Sequence, residues 1–324
     1  ITEIEILLPS GKVVLATASN NHKNLYFGFA NSYGTLGYVL KLKVKLIKTK
    51  KYVKLTHLHF SNSKNLFSKL KKLCLEQRKK EKITFIDGTI FNKNEMYITL
   101  GEFVDKAPHT SDYTYMNIYF KSIRKRKTDF LTTHNFIWRW DTDWFWCSKH
   151  FGVHNPLIRF LFRRKNLRSK VYWKIRSWAA KKGISKNKNR ESVVQDVALP
   201  IDNCVAFYDF FQKEIDIKPV WVCPTMTYDK TSKYSLFQIS NFTLYIDFGF
   251  WDTVPTTQPE GYYNKKIEEK VRELQGKKSL YSDSYYTKKE FWTHYNKKAY
   301  DKLKNKYDPN KRFKDLYEKT VLKK

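Results

Sequence analysis

The segment SYGTLGYVLKLKVKLIK, residues 32–48, governs how the rest of the chain is read. Gly34 and Gly37 bracket Thr35 and Leu36, and an alternating run follows at once. Val39, Leu40, Leu42, Val44, Leu46 and Ile47 supply an apolar side, and Lys41, Lys43, Lys45 and Lys48 a wet one. That alternation predicts a half-buried strand. A glycine pair also lets the backbone approach a flat or charged ligand, because no Cβ stands in the way. Taken alone, the pair fits a tight turn as well as a ligand contact.

The flanking text separates the two. In PSGKVVLATASNNHKNLYFGFANSYGTLGYVLKLKVKLI, residues 9–47, the pieces Ser10-Gly11-Lys12, Asn24-Leu25-Tyr26 and Gly34-Thr35-Leu36-Gly37 are similar in order and spacing to the end of a PCMH-type FAD-binding domain. Such domains occur in flavoproteins of the vanillyl-alcohol-oxidase type, where Asp and Phe are commoner at the places of Asn24 and Tyr26. With KKYVKL (residues 50–55) following, the text resembles the sterol Δ24-reductase branch. The resemblance implies that Gly34, Thr35, Gly37 and Tyr38 lie against FAD, with the Tyr38 or Val39 backbone donating to it and Ser32 a secondary contact. The glycine-rich pyrophosphate loop and the second glycine-rich segment of such a domain are not in this sequence. It starts at Ile1, inside a strand pattern of Ile4, Ile6 and Leu8, and reads as N-terminally truncated.

Composition narrows the classes further. The chain carries 62 Lys and Arg against 31 acidic residues, a net charge of +31 over 324 residues. Such a field favours polyanions and anionic membranes. Only 12 of the basic residues are Arg, whereas bidentate phosphate and base recognition prefers Arg. No nucleic-acid motif accompanies the charge, so nucleic acid is not the expected partner. A basic membrane- or nucleic-acid-binding protein stays the non-enzymatic alternative. Cys74, Cys147, Cys204 and Cys223 lack paired ligand spacing, so neither structural metal nor a disulfide scaffold is expected, and the compartment reads as reducing. No apolar run reaches the roughly 18 residues a membrane-spanning helix needs.

Residues 52–60 read as a strand, 65–80 as a helix capped by Asn62 or Ser63, and 83–91 and 96–104 as strands joined by Asn92-Lys93-Asn94-Glu95. A second β-α-β-β unit follows: 193–199, a helix over 202–213, 220–225 and 243–250, with a further helix over 262–274. Two such units make one antiparallel sheet with helices on one face, an α+β fold. The resemblance implies the same substrate (cap) domain. The expected division is 1–48 as the end of the FAD-binding domain and 49–324 as the cap domain, whose C-terminal segment returns to the flavin.

Two stretches carry unusual chemistry. THNFIWRWDTDWFW, residues 133–146, holds four of the nine tryptophans around Arg139, Asp141 and Asp143. It fits aromatic packing around an internal ion pair, or the wall of a large apolar pocket. The sterol reductases have similar text ending in a Phe-Trp pair, here Phe145-Trp146, so Trp138, Arg139 and Trp146 are the candidate pocket residues. Arg139 would meet an NADPH phosphate or a pocket carboxylate. Residues 144–190 contain no Asp or Glu but 14 Lys or Arg. Two amphipathic helical patterns there, the first opened by Asn155-Pro156, suit contact with an anionic membrane or a solvated cap, and 181–190 reads as a polar linker.

VVQDVALPIDNCVAFYDFF (193–211), KPVWVCP (218–224), LYIDFG (244–249) and SLYSDSYYTKKEFW (279–292) extend the resemblance over nearly the whole chain. It implies reduction of the side-chain double bond of a sterol with FAD as cofactor and NADPH as electron donor. An FAD-linked oxidase or dehydrogenase of an alcohol or hydroxy acid is the alternative enzyme. The resemblance also implies a membrane-associated setting, endoplasmic-reticulum-like in a eukaryote, with any anchor upstream of Ile1; a cytoplasmic setting is the alternative. An isolated alkene is a poor hydride acceptor, so the chemistry needs an acid, a flavin against the alkene and little water. Phenols near pKa 10 are weak acids for this. A carboxyl kept protonated in an apolar surround is better. Asp283 sits two residues from both Tyr281 and Tyr285, and a strand there would put all three on one face. Asp283 is the expected proton source or relay, with Tyr281 and Tyr285 orienting it or lining the pocket. Glu290 is expected to cap a helix or pair with a lysine.

Overall fold

A computed structural model describes residues 1–80, 84–183, 189–227, 234–240 and 243–323. The first part holds β1 (Glu3–Leu7), β2 (Val13–Thr17), α1 (Lys23–Phe29), β3 (Tyr38–Lys43), β4 (Tyr52–Phe60), α2 (Ser63–Lys80), β5 (Phe85–Asn92) and β6 (Glu95–Val104). Then come α3 (Tyr119–Ile123), β7 (Thr128–Thr132), α4 (Thr133–Trp138), α5 (Pro156–Asn166) and α6 (Ser169–Lys181). The last part holds β8 (Arg190–Pro200), α7 (Cys204–Glu214), β9 (Val220–Thr225), β10 (Tyr245–Pro255), α8 (Tyr262–Glu273), β11 (Lys277–Lys278), α9 (Lys288–His294), α10 (Lys297–Tyr307) and α11 (Leu316–Thr320). The expected start of β5 at Ile83 and residues 184–188 of the expected linker lie outside the described residues.

The strands form two sheets, ordered β2-β1-β3 and β11-β8-β10-β9-β5-β6-β4-β7, with antiparallel neighbours. Both predicted β-α-β-β units are present. Each places its last strand between its other two, and the units join where β5 meets β9. Local chemistry explains their edges. Asn62 Oδ1 accepts the Asn65 N–H at 2.9 Å and caps α2. The Asn94 N–H donates to Asn92 Oδ1 at 2.9 Å and closes the β5–β6 hairpin.

Period fixes the faces. On α7 the buried residues Cys204, Phe207, Tyr208 and Phe211 fall at i, i+3, i+4 and i+7, the stripe a helix lays on a sheet. They meet Ile246, Phe248 and Phe250 of β10, together with Leu66, Phe67 and Leu70 of α2 and Ile267 and Val271 of α8. The helices α2, α7 and α8 thus cover one face of the large sheet. Residues 113–146 cover part of the other, around Val53, Leu55 and Leu131. The small sheet packs instead against the chain end, where Ile6, Leu25 and Leu36 share a core with Phe291, Tyr300 and Leu316.

The segment 32–48 departs from its expected half-buried strand. The strand stops at Lys43, and all six residues of β3 are exposed, as are Val44, Leu46 and Ile47 beyond it. The reason is topological: β3 is an edge with only β1 beside it, and among the described residues no layer covers either face. Gly37 is explained by β1. Its φ is 147°, and a Cβ there would stand 2.6 Å from the Leu7 carbonyl oxygen and 2.7 Å from Ile6 Cγ2. Gly37→Val should therefore push β3 off β1 and cost on the order of 2 kcal/mol or more through backbone strain and overlap. Hydrogen exchange of the β1 and β3 amides should speed up in that variant while β8 and β10 stay protected. Unchanged exchange would refute the packing role.

Candidate active site

Because side chains alternate along a strand, sending Ile246, Phe248 and Phe250 to the helices turns Asp247, Gly249 and Trp251 to the opposite face of β10. Register extends that face across the sheet. Asp247 lies opposite Ala198 on β8 and Cys223 on β9, while Asp196 lies opposite Gly249. Further along, Asp87 and His57 each face Thr99 on β6. A polar row therefore crosses a sheet face whose neighbours are aromatic.

Asp196 and Asp247 are diagonal neighbours and only partly exposed. Neither forms an ion pair with a Lys or Arg side chain among the described residues. Burial pushes Asp196 up to about 6. Burial, and then the charge of Asp196, push Asp247 to about 7. A cation could have opposed this, yet the neighbouring groups are the Cys223 thiol, itself pushed to about 12 by burial, and Tyr281. One oxygen of Asp196, Oδ1, is buried without a hydrogen-bond partner among the described residues. The Trp251 ring fills the space a Cβ on Gly249 would take and lies beside that oxygen.

Aromatic side chains close one flank. Trp251 packs on Phe145 at 5.4 Å, Trp146 at 5.7 Å and Trp221 at 6.3 Å. They are held by residues 144–146, three successive left-handed residues with φ of 46°, 48° and 60°. Non-glycine residues adopt that conformation at a cost of about 1–3 kcal/mol each. Beside them Asp143 is fully buried and accepts the Phe120 N–H at 3.3 Å, and burial pushes its carboxyl to about 7. On the other flank Tyr33, whose hydroxyl accepts the Leu280 N–H at 2.7 Å, brings the small sheet to the same place.

The three residues 281, 283 and 285 do not share a face, because their segment is not a strand. Tyr281 alone reaches the row: its hydroxyl accepts Trp251 Nε1–H at 2.9 Å and neighbours Asp196. Burial and the Asp196 charge push that phenol up, away from proton donation. Asp283 is half-exposed and ion-paired with Lys323. Tyr285 packs its ring over Gly261 and faces Lys265. Glu290 completes a capping box with Thr287 and pairs with Arg272 at 3.0 Å, an arginine rather than a lysine.

The pocket candidates also separate. Arg139 pairs with Asp87 at 3.2 Å and lies over the Phe136 ring at 4.0 Å, so the internal ion pair is the arrangement observed. Trp146 is a fully buried core side chain, and Trp138 is exposed. Around the glycine turn, Thr35 is buried with its hydroxyl donating to the Ser32 carbonyl at 2.7 Å. Buried Lys304 holds the Thr35 carbonyl from below at 2.9 Å. Ser32 and Gly37 also face the protein, whereas Gly34, at φ 77°, and exposed Tyr38 and Val39 remain accessible. The Lys319 amine sits 3.2 Å from where a Gly34 Cβ would be and 5.9 Å from the Tyr38 ring. That accessible backbone, a ring and a cation fit a flavin nucleotide, whereas Thr35 and Gly37 are buried.

Asp196 and Asp247 escaped the sequence reading, although both stand inside quoted blocks. The signal is a single carboxylate within an apolar strand, VVQDVAL and LYIDFG, which is costly unless paired or protonated.

No family model matches the chain. It is 27% identical to the human protein named Delta(24)-sterol reductase over 98% of this chain and 62% of that protein. A Caenorhabditis elegans protein named as a Delta(24)-sterol reductase homologue is 26% identical over 91% of this chain and 58% of its own length. The Arabidopsis thaliana Delta(24)-sterol reductase is 21% identical over 98% of this chain. The chain thus spans about three fifths of these relatives, 58–62%. The likeness supports the sterol Δ24-reductase family.

Proposed function

We propose that the chain forms the substrate side of an FAD-dependent oxidoreductase that saturates the side-chain double bond of a sterol, with NADPH as electron donor. The observation that carries this reading is the pair of unneutralised carboxyls, Asp196 and Asp247, set among Trp221, Trp251 and Phe145 on one sheet face. An apolar wall suits a sterol, and a carboxyl that keeps its proton near neutrality suits an alkene. The small sheet is read as the end of a PCMH-type domain, and Gly34, Tyr38 and Val39 as its contacts to FAD. Bound there and reduced by two electrons from NADPH, the flavin would supply the hydride. Asp247, or Asp196 through it, gives a proton to the less substituted alkene carbon, and the carboxylate regains one from solvent. Aromatic faces stabilise the positive charge that develops on the sterol, and the Trp251–Phe145 wall excludes water from it.

Tyr281 orients Asp196 in this scheme, and Asp283 acts at a distance by fixing the chain end through Lys323. The test takes the gene product as the cell makes it, supplied with FAD. Expected is NADPH-dependent loss of the sterol double bond under anaerobic conditions. Oxygen-dependent turnover of an alcohol instead would overturn the reductase reading in favour of the oxidase.

A further inference from the structure

The hairpin of α5 and α6 presents an apolar surface that no element covers among the described residues. Leu157, Phe160 and Leu161 are 67%, 60% and 68% exposed and fall at i, i+3 and i+4, one stripe of α5 ahead of the kink at Arg163. Trp173 and Trp178 of α6 are 59% and 58% exposed. The opposite sides of both helices are committed: Ile158, Phe162 and Tyr172 pack into a small core with Val153 and Leu167. Arg159 is buried, with its guanidinium donating to the carbonyls of Tyr115, Thr142 and Val153. The outward side chains are therefore held out by a fixed inner face.

Charge decides what could cover them. Between Pro156 and Lys182 every charged residue is basic. Carboxylates from elsewhere reach two of them, Asp112 to Arg164 at 2.7 Å and Asp141 to Arg168 at 3.4 Å. Among the described residues Arg163, Lys165, Lys170 and Lys174 have no acidic partner. A nucleic acid would use the cations and leave the Leu-Phe-Trp stripe in water. An anionic bilayer uses both, with indoles and aliphatic groups at the headgroup level and cations over the lipid charge.

We infer that the α5–α6 hairpin docks on an anionic lipid surface, with Leu157, Phe160, Leu161 and the two tryptophans in the interface. Resting on the sterol reading, the same surface leads inward to the site. Trp173 packs on Trp144 at 6.4 Å, the adjoining Phe145 packs on Trp251, and Trp251 meets Tyr281 beside Asp196. A sterol leaving the membrane would meet aromatic faces along that route.

Binding is measured by flotation with phosphatidylcholine–phosphatidylserine vesicles and with phosphatidylcholine alone, which needs no activity and so separates this inference from the sterol assignment. The protein should float with the anionic vesicles and lose that binding as salt rises. Replacing Arg163, Lys165 and Lys170 with Gln should weaken binding by roughly two powers of ten, from about 1 kcal/mol per cation. Leu157→Ser/Phe160→Ser/Leu161→Ser should weaken it at least tenfold, since each buried apolar side chain contributes about 1.5–3 kcal/mol. Lys41→Gln/Lys43→Gln/Lys45→Gln, remote on the small sheet, should change little. Equal effects of the two Gln sets, with the serine set binding like the wild type, would reduce the result to net charge and overturn the docking surface. So would an unaltered serine variant whose binding double-stranded DNA abolishes.

Discussion

Lys278→Met is expected to destabilise the protein by about 3–5 kcal/mol, the cost of leaving one member of a buried ion pair alone. Lys278 and Glu268 are both buried, and their charged groups meet at 2.6 Å. Burial holds the Lys278 amine below its usual value and the Glu268 carboxyl above its own, so desolvation opposes the pair even while each partner supports the other. The double change Glu268→Leu/Lys278→Met should recover part of the loss. Recovery stays incomplete because the pair has a second task. Lys278 also donates to the Asp283 carbonyl, and Glu268 accepts the Tyr285 N–H at 3.1 Å. Each orphaned backbone group costs about 1–3 kcal/mol. Urea unfolding of the wild type, both single variants and the double closes the cycle. Additive losses, with no recovery in the double, would mean the two charges do not depend on each other. The double variant should also loosen residues 279–286 and shift Tyr281 away from Trp251.

Much of the architecture was legible because period and turn chemistry act locally. Both β-α-β-β units, the Asn62 cap and the Asn92–Glu95 hairpin follow from alternation, helical spacing and Asx geometry. The burial of β3 was not legible, because alternation states which side chains could be covered, not whether a layer arrives. The site illustrates a related limit. Spacing placed Tyr281, Asp283 and Tyr285 together on the premise of a strand, whereas the segment runs without a ladder and is shaped by Lys278 and Glu268. Those two contacts are long-range in effect and leave no periodic trace. The requirement for an acid in an apolar surround was chemical and did not depend on the strand. Under the proposed function it is answered on strands β8 and β10, where register makes Asp196 and Asp247, 51 positions apart, diagonal neighbours.

Asp247→Asn should lower sterol turnover by about two to four powers of ten, the usual contribution of a positioned acid, while leaving flavin reduction by NADPH intact. Asparagine keeps the shape of the side chain and removes its transferable proton. Asp196→Asn should act less directly: removing its charge takes away one of the two causes that raise Asp247, so the pH dependence should move to lower pH. In the wild type the two carboxyls titrate as a pair, in the range of about 6 and about 7. The acid works when protonated, so turnover should be full below that range and fall as pH rises through it. Stability should follow the same sign. A carboxyl whose folded value lies above its unfolded one binds more protons when folded, so its favourable contribution is present at low pH and disappears as pH rises from about 4 to about 7. Asp247→Asn should flatten that slope and leave the protein no less stable at pH 8, a readout that does not involve catalysis. Wild-type turnover in both asparagine variants would remove the pair from the mechanism and return attention to Asp283. In that case releasing Asp283 from its ion pair, by Lys323→Ala, should change the rate.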